Sequence, residues 1–158
     1  MKYKRFEELP VWQAAIQLAE RVYVLTSRPA FRRHRTLRDQ LERAALSVSN
    51  NIAEGFERGT TQELLTFVYI ARGSAGEVRS MLCLLDRMAV FADPRSEISD
   101  LKSKAESISR QLHGWADSLQ NTQIKGPRYL TTKVRKFEER KRGREEFLKE
   151  LRDNLSQE

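Results

Sequence analysis

The chain has 158 residues and a formal net charge of +7, from 29 lysines and arginines against 22 acids. That length suits one domain with an appendage and buries roughly 70% of its unfolded surface, so no covalent staple is needed. The single cysteine excludes an internal disulfide, and no apolar run reaches the roughly 20 residues of a membrane span. No secretory leader is visible, so a soluble cytoplasmic protein is expected. The positive charge favours a polyanionic partner, nucleic acid before a membrane surface.

Met1 to Leu9 is a short basic lead. Pro10 suits the first turn of a helix, where a missing N–H does no harm. Trp12, Ala15, Ile16, Ala19, Val22, Tyr23 and Thr26 then form one face at helical spacing. Trp12 is a conceivable base-stacking platform, but its place in the stripe favours a core or subunit-contact role.

Pro29 breaks the first helix. Arg28, Arg32, Arg33, Arg35 and Arg38 then place five guanidinium groups in eleven residues with no acid among them. A guanidinium grips phosphate with two parallel hydrogen bonds, which lysine cannot do. This connector is the candidate phosphate-contacting site of the body, and a solvated loop is the alternative. His34 within it is expected to contact phosphate.

The second helix runs from about Thr36 to Gly55 or Arg58. Leu37, Leu41, Ala44 or Ala45, Val48, Ile52 and Phe56 mark its core side, flanked by a polar row of Gln40, Arg43, Ser47, Asn51 and Glu54. Gly55 is placed where a C-cap wants a left-handed residue. Thr60 and Glu63 fit a capping box opening the third helix. Leu64, Val68, Ala71, Ala75, Val78, Leu82 and Leu85 then alternate steps of four and three, a bundle seam. A second row, Phe67, Ile70, Ser74, Met81, Leu84 and Met88, covers an adjacent face and signals association between subunits. Gly73 and Gly76 each cost about 1 kcal/mol inside a helix, so a close approach is expected there. A hairpin turning near Arg58 and Gly59 puts Gly73 opposite Ala44 and Gly76 opposite Leu41. The same register brings Glu77 near Arg43 and predicts a buried or half-buried polar cluster of Arg43, Asn51, Glu54 and Glu77.

Asp93 and Pro94 read as N-cap and first residue of the fourth helix. Its seam is Ile98, Leu101, Ala105, Ile108, Leu112, Trp115 and Leu119, and Pro127 prevents continuation. The expected fold is all-α: an antiparallel up-down-up-down four-helix bundle over residues 1–126, followed by a charged, helical C-terminal extension over 127–158. That extension carries ten cations against seven acids from Arg128 onward, densest at Arg140, Lys141, Arg142 and Arg144. It reads as an arm that orders on RNA or on a protein partner.

Three stretches carry a resemblance: Leu9-Pro10-Val11-Trp12-Gln13, the run Gln40-Leu41-x-Arg43-Ala44-Ala45 ending in Asn51-Ile52-Ala53-Glu54-Gly55, and Gly73-Ser74-Ala75-Gly76-Glu77. Over roughly residues 4–124 the chain resembles the bacterial 23S rRNA intervening-sequence proteins. The accessory variability determinant (Avd) of diversity-generating retroelements is a divergent relative of that family. The resemblance implies a four-helix protomer, a ring-shaped homopentamer and no catalytic residues. The arginine-rich connector departs from the acidic turn common in the family.

No catalytic constellation is visible. His34 and His113 lack a second ligand at metal spacing, so neither metal nor cofactor is expected, and His113 reads as a core-edge hydrogen-bonding group. Cys83 sits among Met81, Leu82, Leu84 and Leu85 and reads as an inert buried thiol. Gly55 to Thr61 lacks the lysine, spacing and preceding strand of a phosphate loop. The expected function is therefore a non-enzymatic, oligomeric nucleic-acid-binding accessory protein that takes RNA or single-stranded DNA by charge with little base preference. A reverse transcriptase is a partner implied by the resemblance to Avd. The alternative is an oligomeric protein-interaction scaffold whose tail docks a partner through Phe147, Leu148, Leu151 and Leu155.

Overall fold

A computed structural model describes residues 3–121. Four helices account for most of them: α1 (Pro10–Thr26), α2 (Arg35–Glu57), α3 (Thr61–Arg87) and α4 (Arg95–Gln120). Single 3-10 turns at Phe6–Glu8, Pro29–Arg33 and Ala89–Phe91 precede or join them. Each helix packs on the next, and α1 closes the ring against α4. Neighbours run antiparallel, because cross-helix partners rise in number on one helix as they fall on the other. Gln17 pairs with Lys104 and Arg21 with Asp100; Tyr69 pairs with Gln120 and Asp86 with Lys102. The up-down-up-down bundle read from the sequence is the fold.

The core lies along the bundle axis. All seven residues of the α3 seam are wholly buried, as are Ile98, Leu101, Ala105, Ile108 and Leu112 of α4. Each large aliphatic side chain so buried contributes about 1.5–3 kcal/mol. At its C-terminal end the α4 seam passes to Ala116, leaving Trp115 and Leu119 half-buried. The face of α1 is rotated from the expected one. Leu18 and Leu25 join Ala15, Ala19 and Val22 in the core, Ile16 is only half-buried, and Tyr23 is 44% exposed. Three buried hydroxyls are hydrogen-bonded. Thr26 donates to the Glu42 carboxylate at 2.6 Å, Ser49 to the Leu46 carbonyl, and Ser74 to the Ile70 carbonyl.

Half of the capping box forms: the Glu63 amide donates to Thr60 Oγ1 at 3.2 Å, while the Glu63 carboxylate takes the Thr60 hydroxyl at 2.7 Å in place of the Thr60 amide. Asp93 does not cap α4. The first intrahelical bond is accepted by the Pro94 carbonyl, from Ile98, and no side chain caps the helix. The Asp93 carboxylate turns to Arg28 instead.

Gly55 is not a C-cap either. No glycine among the described residues has a positive φ, and α2 runs two residues past Gly55. Its role is steric: a Cβ there would stand 2.6 Å from Phe67 Cβ and 3.2 Å from Leu64 Cδ1. This close approach of α2 and α3 replaces the one expected at Gly73 and Gly76. Both of those are exposed, with no neighbour where a Cβ would lie. The hairpin register differs by about one helical turn from that expected, so Ser74 meets Ser47 at 2.8 Å.

At the end where α2 turns into α3, Trp12 stands edge-on to Phe6 with ring centroids 5.1 Å apart. Trp115 lines a small, mostly apolar cavity of about 240 Å³ with Tyr3, Leu9 and Val11.

Gly55→Ala should therefore lower stability by about 1–3 kcal/mol through overpacking. Gly73→Ala and Gly76→Ala should each raise it by up to about 1 kcal/mol through helix propensity. Urea midpoints of the three variants check the order.

Candidate nucleic-acid interface

In an up-down bundle the connector between α1 and α2 and the one between α3 and α4 fall at the same end. Pro29 sets the first of them as a 3-10 turn, and Phe31 at its centre is buried. Phe31 meets Phe91, also fully buried and held in the 3-10 turn Ala89–Phe91, with ring centroids 4.6 Å apart. The His34 ring rests 5.6 Å from the same Phe91 and is half-buried. It is thus an aromatic packing partner of Phe91, placed in the chain between the exposed Arg33 and Arg35.

The five arginines of the connector separate into two kinds. Arg28 reaches across to α4, donating to Glu97 at 2.7 Å and to Asp93 at 3.4 Å. Arg38 pairs with Asp39 at 2.9 Å and lies 3.9 Å from Glu42. Arg32, Arg33 and Arg35 are exposed and have no hydrogen bond or ion pair among the described residues. These three cations surround the start of α2. That helix has no side-chain cap and no acid in its first turn, so its free N–H groups and positive dipole end add to the same field. Unpaired guanidinium groups beside uncapped backbone donors form an anion-binding surface.

The expected polar cluster does not assemble. Arg43 and Glu77 are both exposed and do not pair. Glu54 is taken by Arg58 one turn later on the same helix. Asn51 alone is half-buried, donating to the Ser47 carbonyl at 2.7 Å and to Ser47 Oγ at 3.0 Å. The polar contact across α2 and α3 is thus a neutral chain of Asn51, Ser47 and Ser74, while Arg43 and Glu77, level with each other along the hairpin, both face solvent. His113 is likewise an exposed group of α4, 3.5 Å from Arg72 and 3.6 Å from Asp117, rather than a core-edge one. Cys83 is half-buried rather than enclosed. Arg140, Lys141, Arg142 and Arg144 lie outside the described residues, as does the whole extension from 127 to 158.

Sequence reasoning missed a polar groove between α3 and α4, lined by Arg72, Arg79 and Ser109 among others. The signal available was the seven-residue spacing of the two arginines around outward-facing Gly76. Among the described residues no three His, Cys, Asp or Glu side chains converge on a metal position, and no helix is long and apolar enough to cross a membrane.

Residues 7–114 match the family model of the 23S rRNA-intervening sequence protein. Among solved structures, the chain is similar to a protein of unknown function from the S23 ribosomal protein family of Bacteroides thetaiotaomicron. The TM-score is 0.60 at 19% identity, over 67% of this chain and 97% of that one. No curated protein matches.

Phe31→Ala should cost about 3–5 kcal/mol by opening a cavity beneath the basic turn. Arg32→Ala, Arg33→Ala and Arg43→Ala should each stay within about 0.5 kcal/mol of the parent chain. Chemical denaturation followed by circular dichroism checks both statements.

Proposed function

We propose that this chain, which belongs to the 23S rRNA-intervening sequence protein family, is a non-enzymatic nucleic-acid-binding accessory protein of the cytoplasm. RNA or single-stranded DNA is held by its phosphates at the turn between α1 and α2. The observation that carries this reading is the trio Arg32, Arg33 and Arg35, exposed, without carboxylate partners among the described residues, and mounted on a turn that buried Phe31 anchors. Arg28 and Arg38 serve a different purpose here. Their charge is spent on Glu97, Asp93 and Asp39, so they orient the turn rather than grip the strand. Binding is led by charge and has little base preference, because phosphate contacts position a strand without reading it.

One protomer offers only a few phosphate contacts. Association into a homo-oligomer, a pentamer by resemblance to the family, sets several basic turns against one strand and multiplies weak contacts through effective concentration. Supporting association, Tyr69, Ile70 and Leu84 of α3 and Leu46 of α2 remain 37–50% exposed in the single chain. The basic run Arg140, Lys141, Arg142 and Arg144 adds further positive charge to the chain for the same kind of partner. If the likeness to Avd extends to role, a reverse transcriptase is the protein partner and its template the bound RNA. The second reading is a protein-interaction scaffold, favoured by that same exposed apolar set on α2 and α3.

The test is RNA binding against salt for the parent chain and for an Arg32→Ala/Arg33→Ala/Arg35→Ala variant. Removing three single-strand phosphate contacts should make the slope of log affinity against log salt shallower by about two per protomer engaged. The helical signal should be unchanged. An unchanged slope moves the site off the turn, and an absence of binding at low salt leaves the scaffold.

A further inference from the structure

The groove between α3 and α4 has a chemistry that the bundle does not use. Arg72, Gly76, Arg79, Ser80 and Cys83 of α3 face Ser109 of α4 around a cavity of about 450 Å³, within the size range of small-ligand sites. Arg72 and Arg79 stand about 10 Å apart along one helix face. Neither has a carboxylate partner among the described residues: Arg72 has only His113, at 3.5 Å, and Arg79, Ser80 and Ser109 have no hydrogen bond there. The neighbouring acid of α4, Glu106, is held by Arg110 at 3.0 Å. Gly76 leaves the floor between the arginines open, since nothing lies within 4 Å of where its Cβ would be. Keeping glycine there weakens the helix, and no contact within the described chain offsets it.

We infer that this groove binds a phosphorylated ligand, with Arg72 and Arg79 each forking a phosphate group and the Ser80 and Ser109 hydroxyls donating to it. A lone carboxylate engages one guanidinium. A run of phosphates, as in a nucleoside diphosphate or in successive linkages of a strand, presents anionic oxygens to both. The groove lies on the α3–α4 flank, whereas the basic turn joins α1 to α2, so the two sites are independent.

Cys83, the single cysteine of the chain, lines the groove and reports its occupation. The rate of Cys83 alkylation by iodoacetamide is measured by mass spectrometry on the full chain, in the presence of pyrophosphate, ADP or a short 5′-hydroxyl oligonucleotide. At tenfold above its dissociation constant a ligand in the groove should slow the reaction about tenfold. Arg79→Gln, an exposed change, and Arg72→Ala/Arg79→Gln should abolish this protection with the helical signal intact. The Arg32→Ala/Arg33→Ala/Arg35→Ala variant should retain it. Protection by ADP and pyrophosphate alone assigns a free nucleotide as the source, and protection by the oligonucleotide alone assigns a strand. Protection by none of the three, or protection that persists in both arginine variants, overturns the inference.

Discussion

Two aromatic rings share one buried space at the end of the bundle, and the geometry of the basic turn depends on that contact. Phe31 comes from the link between α1 and α2, Phe91 from the link between α3 and α4. Neither link is long enough to fold alone, and each is a single 3-10 turn whose hydrogen bonds are few. Packing the rings against each other lets each link bury apolar area that its own few residues could not. Arg28 closes the same joint from outside through Glu97 and Asp93. The aromatic contact supplies the stability, while the partly exposed ion pairs add about 1 kcal/mol at most and mainly fix direction. With the turn held from both sides, Arg32, Arg33 and Arg35 point outward from a rigid base.

The fold was legible because three of the four helices carry one clear apolar phase. In α3 the strict alternation of four and three picks out the core row beside a second apolar row, and every residue so chosen is buried. In α1 the apolar residues occupy too many positions for spacing alone to choose among. Ile16 and Tyr23 compete with Leu18 and Leu25, and only the neighbours α2 and α4 decide between the two faces. Gly55 shows the same limit. Its helical position next to a turn invites a capping role, yet it is the proximity of Phe67 that requires the missing side chain. The N-cap of α4 falls on Pro94 rather than Asp93, whose carboxylate lies 3.4 Å from Arg28, sixty-five residues away.

The candidate site was legible in its composition and illegible in its division of labour. Five arginines in one connector are plain in the sequence, as is Asp39 beside Arg38, but the acids that neutralise Arg28 come from the far link and from α4. The polar cluster failed for a related reason. Helical periodicity identifies the apolar side of α2 and of α3, but not which flank of each polar row turns inward. Arg43 and Glu77 are level along the hairpin yet both lie on its outer flank, and Ser47 and Ser74 meet on the inner one. Apolar patterning thus determines which side of a helix is buried far more firmly than which polar residue it faces.

Both tryptophans of the chain lie at the end of the bundle remote from the arginine turn, Trp12 against Phe6 and Trp115 beside Tyr3 and Leu9. Their placement makes intrinsic fluorescence a one-ended gauge. Emission from the native chain follows hydration where α1 begins and α4 finishes, and it is blind to a strand lying across the opposite pole. A spectral change on adding a polyanion would therefore signify motion transmitted along the helices, while quenching by iodide would map accessibility of the tryptophan pole alone.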